Sequence, residues 1–500
     1  MVPKNEASQT PQYVSDTTRP NEILPQVDEE TQSSSNAYEQ EVSKGRKQII
    51  IGLAITGIVS AIVGAFVTDG PSLWGLLPIL LYSALALLGM DIVIATVVAI
   101  TAGAILGKVG VTDITTLLGE SLGDQITMIG LIIMLGSGVG EVLKTTGAAE
   151  RIVSGVMRVF GSRGKVTLIL GIMMACLVLV ASLGTLVGAI AIAAPILIPV
   201  AGRAGYTRSA TAAMMFVGGC AGLALAPFAG SNIAIMEAAE VSYLEYLLYG
   251  AGPIAIISIV VGVPVVLWMQ KWTKFKNDFY SESELGYVET SEFRNAGRAT
   301  TFFLLALLIS VVYATIASAG TAFPLLALPA LAVVTGIAGG KPVRELLQAI
   351  YRGCSSMVSI FIFFWMLGAL FKIIDLLAPF DYILDTYGKQ LESTSPFVFT
   401  IIIALLGWVG VPGATAAQVV LLDKVFGSLG SAMGVSAASW TVVLLFASKA
   451  DTYGPFPNGN MMGVMGLARS KQLKNMMITG WLVLIPVTVT YFTMLFFQTR

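Results

Sequence analysis

Long apolar runs separated by short polar connections make up most of the chain after residue 47. Runs of about 20 residues with few or no charges are long enough to cross the hydrocarbon core of a bilayer as α-helices. The pattern therefore predicts an all-α polytopic membrane protein. The predicted spans lie at about residues 48–68, 72–107 (two short helices), 125–143, 246–270, 299–318, 322–339, 353–376 and 475–497.

Two further apolar runs are interrupted by small polar residues and predict re-entrant hairpins. Residues 166–201 are broken at 181–185, where the sequence reads ASLGT, and residues 396–427 are broken at 411–415, where it reads VPGAT. Irregular backbone at membrane depth is tolerated only where it is buried in protein or lines a wet cavity. We therefore expect both hairpin tips to reach the middle of the bilayer.

Two other runs predict helices that are broken within the membrane. The first, about residues 208–240, contains PFAGSN at 227–232, and the second, about 437–468, contains PFPNGN at 455–460. Proline and glycine stop a helix, and asparagine and serine then offer amide and oxygen groups. Broken helices at matching positions in two halves of a chain are the best sequence pointer to a transporter's binding site.

The spacing of these breaks predicts an internal repeat. Pro455 follows Pro227 by 228 positions, and Gly413 follows Gly184 by 229. Each half has five crossings and one hairpin, and an odd number of crossings inverts the second half, which gives about 11 transmembrane helices. The predicted organisation is a disordered cytoplasmic tail (1–46), an extra transmembrane helix (47–70), a first repeat (71–270), a cytoplasmic loop (271–298) and a second, inverted repeat (299–500).

Loop charges test this topology. The positive-inside rule places basic loops in the cytoplasm, and in this arrangement the basic connections all fall on one side and the acidic ones on the other. The sequence thus predicts a multi-pass protein of the cell (inner or plasma) membrane, with its N-terminus in the cytoplasm and its C-terminus outside. The basic connections are 144–165, 203–208, 271–298, 341–352 and 469–474, and the acidic ones are 108–124, 237–245 and 377–395.

Composition excludes several classes of function. The chain is 55% hydrophobic and 12% charged, and it contains no histidine, which removes His-dependent triads and His-ligated zinc or haem. Neither a nucleotide-binding loop nor a nucleophile–base pair stands out, so an enzyme is not expected. No basic patch interleaved with aromatic residues indicates nucleic acid. We expect no cofactor and no metal site, with Na⁺ or H⁺ as coupling ion and a small molecule or ion as substrate.

The hairpin tips and the broken helices supply the candidate site. The N-terminal ends of half-helices favour an anionic group such as a carboxylate, whereas C-terminal ends, unwound carbonyls and polar side chains favour Na⁺. The alternative is that small residues at these places only permit close helix packing. The substrate-binding candidates are Ser182, Gly184, Thr185, Ser231, Asn232, Gly413, Thr415, Gln418, Lys449, Asn458 and Asn460, and the cation-coupling candidates are Asp451, Thr185, Asn232, Thr415 and Asn460.

Two charged residues precede the second break. Lys449 and Asp451 lie in a run that is otherwise deep in the membrane, where charges are costly and usually functional. One interpretation is that Lys449 neutralises an anionic substrate while Asp451 binds a proton or Na⁺. The other is a mutually neutralising pair that braces the break. Gln418 has two comparable roles open to it, since it can bind substrate or close its own hairpin arm.

The hairpin and its surroundings resemble the ion transporter superfamily, which includes NhaC-type sodium/proton antiporters, lactate permeases and dicarboxylate/sodium symporters. The resemblance is carried by SLGT at 182–185 with the following Pro195, by KTTGA at 144–148, and by GWVGV at 407–411 with the later Phe426-Gly427. It covers most of the chain from about Pro71 onward. The resemblance implies an inverted-repeat fold, substrate and sodium sites at the hairpin tips, an elevator-like movement and a homodimer.

Two transport functions follow from these observations. The leading hypothesis is a secondary active transporter that moves a small carboxylate-type organic anion with Na⁺ or H⁺ by alternating access, because Lys449 and the half-helix dipoles favour an anion. The alternative is a Na⁺/H⁺ antiporter of the NhaC type, which the hairpin motif and Asp451 favour. A channel is disfavoured, because no ring of charges and no repeated filter sequence is visible. The sequence leaves the substrate and the coupling ion open.

Overall fold

The chain folds into helices joined by short connections throughout the part that the structure, a computed structural model, describes. Nine of the helices in that part are long and apolar enough to cross a membrane. These helices confirm the predicted all-α polytopic membrane protein. Residues 1–43 of the predicted tail lie outside the described part. The described residues are 44–68, 70–160, 164–276, 278–285, 293–317, 319–379, 381–383, 385–386, 395–409 and 415–499.

The first half begins with a long helix whose apolar side chains are largely exposed, and it continues through paired short helices to the first hairpin and the first broken helix. Its helices are α1 (Lys44–Val67), α2 (Leu77–Leu87), α3 (Ile92–Leu106), α4 (Val111–Ser121), α5 (Gln125–Thr145), α6 (Ala148–Phe160), α7 (Lys165–Leu183), α8 (Leu186–Arg203), α9 (Arg208–Leu225), α10 (Gly230–Ala238), α11 (Tyr243–Tyr246) and α12 (Gly252–Lys274).

The second half repeats this order of elements. Its helices are α13 (Ala296–Ile316), α14 (Pro324–Ala338), α15 (Val343–Ser355), α16 (Val358–Leu377), α17 (Pro396–Leu406), α18 (Thr415–Ala432), α19 (Ala437–Tyr453), α20 (Gly459–Leu467) and α21 (Leu473–Gln498). The first hairpin is α7 with α8, and the second is α17 with α18. The first broken helix is α9 with α10, and the second is α19 with α20.

Polar residues at the ends of apolar runs set where several helices begin. The Asp91 carboxylate accepts a hydrogen bond from the backbone N–H of Val93 at 2.9 Å, and Asp124 accepts one from Ile126 at 3.1 Å. Such N-caps satisfy backbone donors that the first helical turn leaves unpaired. The sequence pattern of an apolar run after an isolated aspartate therefore gives the start of α3 and of α5 directly.

Three connections that the sequence analysis treated as charged loops are helical. The acidic connection 108–124 contains α4, and the basic connections 144–165 and 341–352 contain α6 and most of α15. In α6, the residues Ala148, Ala149, Ile152 and Val153 are buried together on one face. Apolar positions at helical spacing with charges on the opposite face are typical of an amphipathic helix, and the many charges of these segments mask that pattern in the sequence.

The first hairpin has two antiparallel arms, α7 and α8, each of which is long and apolar enough to cross a membrane, so its re-entrant path stays a prediction. Its two outer ends lie together, since the hydroxyl of Tyr206 beyond α8 donates to the carbonyl of Lys165 at the start of α7, at 2.9 Å. Its tip, Gly184, lies against Ala229 in the first broken helix. The nine residues of α10 continue from there for about 14 Å, in the direction of the acidic connection 237–245. The first broken helix therefore extends past the hairpin tip by about the length of α10.

The two broken helices run antiparallel to each other. Near the start of the first one, the Ser209 hydroxyl lies 3.4 Å from that of Ser470, which follows the end of the second. At the opposite end, Glu240 beyond the first and Trp440 at the start of the second line the same cavity. The first end carries basic residues and is called the basic face below, and the second is called the acidic face.

Packing between the halves is reciprocal. Helix α10 packs on α18 and α20 packs on α8, so each hairpin's second arm supports the other half's broken helix. In the same way α5 packs on α14 and α15, while α16 packs on α3 and α4. An exchange of partners of this kind is expected of two repeats related by a two-fold axis. It supports the inverted repeat, whose domain boundaries remain a prediction.

Small residues let the first broken helix approach the first hairpin closely. A side-chain carbon at Gly218 would lie 2.3 Å from the carbonyl oxygen of Met173 in α7, and one at Gly222 would lie 2.3 Å from that of Leu177. These distances are far shorter than any tolerated contact, so only glycine fits there. Close packing by small residues, which the sequence analysis offered as an alternative to a binding site, is thus present in α9.

Candidate functional site

The first break exposes the last carbonyl groups of α9, and polar side chains satisfy them. The Asn232 amide donates to the carbonyls of Leu223 and Ala226, each at 2.8 Å. Two tyrosines that follow α10 also donate to this turn. The Tyr243 hydroxyl donates to the carbonyl of Leu225 at 2.6 Å, and the Tyr246 hydroxyl donates to that of Ala224 at 2.8 Å. Asn232 is fully buried. The backbone of the break is therefore held in place by hydrogen-bond donors from three residues later in the chain.

The tip of the first hairpin closes against this break. Gly184 has a φ of +69°, a left-handed conformation that glycine adopts without steric cost. A side-chain carbon there would lie 3.4 Å from the backbone nitrogen of Ala229 and 3.5 Å from the carbonyl oxygen of Phe228. The hairpin tip and the first break, which the sequence predicts to converge, are thus adjacent, and one added side-chain carbon at Gly184 would be in van der Waals contact with Ala229.

The second break is organised by one asparagine. Gly454 turns the chain with a φ of +71°. The Asn458 side chain accepts from the backbone N–H of Met461 at 2.8 Å and donates to the carbonyl of Thr452 at 3.1 Å. Asn458 therefore caps the start of α20 and the end of α19 at once. Its role parallels that of Asn232 although the two residues are not at equivalent positions of the repeat.

Lys449 links the two breaks. Its side chain has 0% exposure, and its Nζ donates to Oδ1 of Asn232 at 3.5 Å. Lys449 also lies near Cys220 of α9. A lysine of the second broken helix therefore lies at the end of the first one. Asp451, predicted as the coupling residue, has a side chain outside the described part of the structure.

A cavity of about 620 Å³ opens on the basic face and ends at the first hairpin tip. Leu183 and Thr185 line it at the tip. Its charged lining is mixed, and the Glu141 carboxylate pairs with Arg352 of α15 at 3.5 Å. Burial raises the pKa of Glu150, which also lines this cavity, and the positive charge of Lys144 partly opposes that rise.

A second cavity, of about 550 Å³, opens on the acidic face and ends at the first break. Pro227 and Phe228 line its inner end. Its charged lining residues are all carboxylates, namely Glu237, Glu240 and Glu245. Glu237 accepts a hydrogen bond from the Thr321 hydroxyl. Carboxylates around a concave surface raise the local concentration of cations.

The predicted polar residues of the first half have different surroundings. Thr185 lines the basic-side cavity. The Ser182 hydroxyl donates at 2.7 Å to a backbone carbonyl one turn earlier in its own helix, which leaves it less available for a ligand. The Ser231 hydroxyl donates to Oδ1 of Asn232 at 3.3 Å. The structure thus places Ser231 beside Asn232 in the break that Gly184 approaches, while Thr185 lines the basic-side cavity.

The second half contributes fewer of its predicted residues. Gln418 has 1% exposure and donates to the carbonyl of Gly407 at 2.7 Å, so it closes its own hairpin. Thr415 begins α18, and Asn460 is half-buried in the first turn of α20. Gly413, at the second hairpin tip, lies outside the described residues. The described contacts therefore centre the site on the first half.

Sequence reasoning missed several residues that shape this site. Tyr243 and Tyr246 cap α9, yet Tyr243 lies in the acidic connection 237–245 and Tyr246 begins the predicted span 246–270, so neither was a site candidate. Arg352 and Glu150 belong to the amphipathic helices α15 and α6. The helical spacing of the apolar residues in these charged segments is the signal that could have placed Arg352 and Glu150 on helices. The cavity that they border depends on contacts between distant segments, which no local signal gives.

Comparisons with known proteins give two matches. Residues 22–268, slightly less than half of the chain, match the Na⁺/H⁺ antiporter family. The crystal structure of the YdaH transporter of Alcanivorax borkumensis, described as having an unusual topology, is similar over 77% of this chain and 88% of that one, with a TM-score of 0.53 and 16% identity. The chain has the fold of a membrane transporter. A comparison with curated proteins gives no match.

The family match supports the sodium/proton antiporter part of the resemblance seen in the sequence. It adds no support for the lactate permeases or for the dicarboxylate symporters. The matched residues 22–268 include the first hairpin, the first break and Asn232. The similarity therefore falls on the half in which the structure assembles the candidate site.

Proposed function

We propose that this chain is a secondary transporter that exchanges Na⁺ for H⁺ by alternating access. The observation that carries the proposal is that two cavities on opposite faces end on either side of one contact. The basic-side cavity stops at Leu183 and Thr185, and the acidic-side cavity stops at Pro227 and Phe228. Gly184, against Ala229, lies between them. A small displacement of the hairpin tip relative to the break would change which cavity reaches the site.

The charges of the two cavities favour a cation. The acidic-side cavity carries three carboxylates and no basic residue among the residues that line it. The basic-side cavity is lined by both acidic and basic residues, and one of its carboxylates, that of Glu141, is paired with Arg352. An organic anion approaching from the acidic face would meet a repulsive field, whereas Na⁺ would be concentrated there. The match to the Na⁺/H⁺ antiporter family supports the same choice.

The test is exchange in proteoliposomes that contain the purified protein and a pH-sensitive dye. An outward proton gradient should be dissipated on addition of Na⁺ and much less on addition of choline. Glu240→Gln should raise the half-saturating Na⁺ concentration about two- to fivefold with little change in maximal rate, because one nearby charge in water contributes at most about 1 kcal/mol. The shift should shrink in high salt, since screening weakens it.

The matched control for that variant is Glu120→Gln, which removes a carboxylate from the same face but outside the cavity lining. It should leave the Na⁺ dependence unchanged. If Na⁺ fails to dissipate the proton gradient in liposomes whose protein is folded, the exchange proposal is wrong. If both glutamine variants shift the half-saturating Na⁺ concentration equally, the acidic-side cavity does not have the proposed role in concentrating Na⁺.

A second candidate function is symport of an organic anion with Na⁺ or H⁺. The buried ammonium of Lys449 favours it, because a fixed positive charge at the breaks could neutralise a carboxylate. Uptake of a panel of radiolabelled small carboxylic acids under a Na⁺ gradient tests this alternative in the same liposomes. Accumulation of one of them, without Na⁺-dependent proton movement, would favour symport over exchange.

A further inference from the structure

We propose that a pocket on the basic face, where the two broken helices meet, binds a phosphate group. This site is separate from the proposed exchange site, and its occupancy does not depend on the exchange function. The pocket has a volume of about 160 Å³. One water molecule occupies about 30 Å³ in the liquid, so the pocket has room for a phosphorus atom and its oxygens.

Three positively charged side chains from segments far apart in the sequence line this pocket. Arg208 begins α9, Lys276 follows α12, and Lys471 precedes α21. Among the described residues of the lining, Asp278 is the only acidic one. A concave surface with an excess of positive charge concentrates anions. Arginine presents a fork of donors to phosphate and lysine adds a compact charge, so this lining favours a phosphate group.

The one carboxylate of the lining already serves the backbone. An oxygen of Asp278 accepts a hydrogen bond from the Ser209 backbone N–H at 2.9 Å, and the same oxygen accepts one from the Ser209 hydroxyl at 2.5 Å. It thereby satisfies a donor in the first turn of α9 and lies at the positive end of that helix dipole. The Asp278 charge is therefore balanced by the helix, which leaves the cations for another anion.

The three cations keep donors that a ligand can use. Lys276 and Lys471 are exposed and form no ion pair with a carboxylate of the described residues. The Lys276 ammonium lies 5.1 Å from the ring centroid of Trp272. Arg208 pairs with Glu284 at 2.8 Å, but its Nε is buried without a hydrogen-bond partner among the described residues. A buried donor in that state is unfavourable, and an acceptor bound in the pocket would relieve it.

The fold itself does not require positive charge at this place. Glu240 follows α10 and Arg469 follows α20, with φ values of 53° and 54°, and the two residues lie 229 positions apart. They therefore occupy equivalent positions of the two repeats with opposite charges. In the same register Lys471 corresponds to Ser242. The positive-inside rule accounts for basic residues on this face in general, but it does not make three of them converge on one pocket.

Aromatic residues beside the pocket indicate the level of the lipid headgroups. Trp268 and Trp272 of α12 stack with their ring centroids 5.5 Å apart, and both side chains are exposed. Exposed tryptophans are typical of the membrane–water interface, and basic pockets at that level bind anionic headgroups. The phosphate group can come from an anionic lipid or from solution, and the two tryptophans favour the lipid.

An occupied pocket should strengthen the junction between the broken helices. Arg208 begins the first one and Lys471 follows the second, and the neighbouring hydroxyls of Ser209 and Ser470 are only 3.4 Å apart. A phosphate group held by both segments would link these two ends. Because a ligand that binds only the folded protein stabilises it, binding should raise the unfolding temperature.

The experiment measures thermal unfolding of the purified protein in a neutral detergent at fixed ionic strength. The probes are short-chain phosphatidylglycerol, phosphatidylcholine with the same chains, and inorganic phosphate. In the wild type, phosphatidylglycerol should raise the unfolding temperature in a saturable manner, and zwitterionic phosphatidylcholine should do so much less. A saturable rise with inorganic phosphate would show that the site takes the group from solution. If neither phosphatidylglycerol nor inorganic phosphate stabilises the protein, the proposal is wrong.

A pair of charge-removing substitutions locates the binding. Lys276→Gln combined with Lys471→Gln should raise the half-saturating concentration of the effective probe at least tenfold, because each lysine near an anionic headgroup contributes about fivefold. The matched control combines Lys274→Gln with Lys474→Gln. It removes two exposed lysines from the same two segments but outside the pocket lining. The control should stay within twofold of the wild type.

Lys276→Arg combined with Lys471→Arg separates charge from the shape of the side chain. This variant keeps both positive charges and should bind the probe within threefold of the wild type. Unfolding temperatures without probe show whether each variant is folded. Equal weakening by the two glutamine pairs would reveal a general attraction to a basic face and would overturn the pocket, as would unchanged binding in Lys276→Gln with Lys471→Gln.

Discussion

Glu150 shows how one buried carboxylate can affect both a cavity and the stability of the fold. It lies in the first turn of α6, lines the basic-side cavity, and one of its carboxylate oxygens is buried without a hydrogen-bond partner among the described residues. Because burial disfavours its ionised form, the pKa of Glu150 is raised above its ordinary value of 4.5. The folded protein therefore binds this proton more tightly than the unfolded chain does.

The consequence is a defined pH dependence of stability. A carboxyl group whose pKa is raised on folding contributes stability below its ordinary pKa, and that contribution is lost as pH rises through the raised value. Glu150→Gln removes the ionisation. We expect the variant to unfold at a higher temperature than wild type at pH 7.5 and at nearly the same temperature at pH 4. Thermal unfolding in detergent at both pH values measures this, and a lower unfolding temperature of the variant at pH 7.5 would contradict it.

At the scale of the element, each broken helix depends on one asparagine that joins its two segments. Asn232 binds carbonyls at the end of α9, and Asn458 binds both the end of α19 and the start of α20. An N-cap of this kind contributes about 0.5–2 kcal/mol. Asn460, two residues further along, is half-buried and lies one residue inside α20. Loss of the Asn458 side chain should therefore affect stability more than loss of the Asn460 side chain.

Asn458→Ala should lower the unfolding temperature and the exchange rate together, because it removes the cap of α20 and leaves the Thr452 carbonyl unpaired. Asn460→Ala serves as the matched variant and should change the unfolding temperature by much less. If Asn460 is a ligand, as the sequence predicts, its alanine variant will weaken Na⁺ binding in a protein of normal stability. Equal destabilisation by the two variants would contradict the distinct role of Asn458.

At the scale of the whole molecule, the antiparallel broken helices place the start of one beside the end of the other. The segment 278–285 between the repeats reinforces this end, since the Asp278 carboxylate accepts from the Ser209 backbone N–H at 2.9 Å. The Tyr280 hydroxyl donates to the carbonyl of Ala468 at 2.8 Å. Both broken helices are thus held together at the basic face while their breaks lie deeper.

A disulfide tests this arrangement directly. The hydroxyls of Ser209 and Ser470 lie 3.4 Å apart, so cysteines at these positions should have side-chain carbons close enough to bridge. In a background without the three native cysteines, we expect Ser209→Cys with Ser470→Cys to cross-link under mild oxidation, and a protease cut between the repeats should then leave one band on a gel. Ser209→Cys with Ser428→Cys, a residue of the acidic-face cavity, should not cross-link.

Hydrophobic patterning by itself determined the membrane class, the hairpins, the broken helices and their order in two halves. These features follow from local chemistry, because a bilayer requires apolar runs of fixed length and restricts breaks such as those at Pro227 and Pro455. The same pattern located Asn232, Asn458 and Lys449 as candidates. It did not reveal α4, α6 and α15 as helices, because their charges hid the helical period.

Only the tertiary structure decided which of these features meet. The contact of Gly184 with Ala229 joins positions 45 residues apart, and the link from Lys449 to Asn232 joins positions 217 apart. Such pairings depend on how the two halves pack, which no local pattern encodes. The charge of the acidic-side cavity likewise arises from where Glu237 and Glu240 lie around one concave surface. For that reason the sequence favoured an anion at Lys449, whereas the assembled cavities favour a cation.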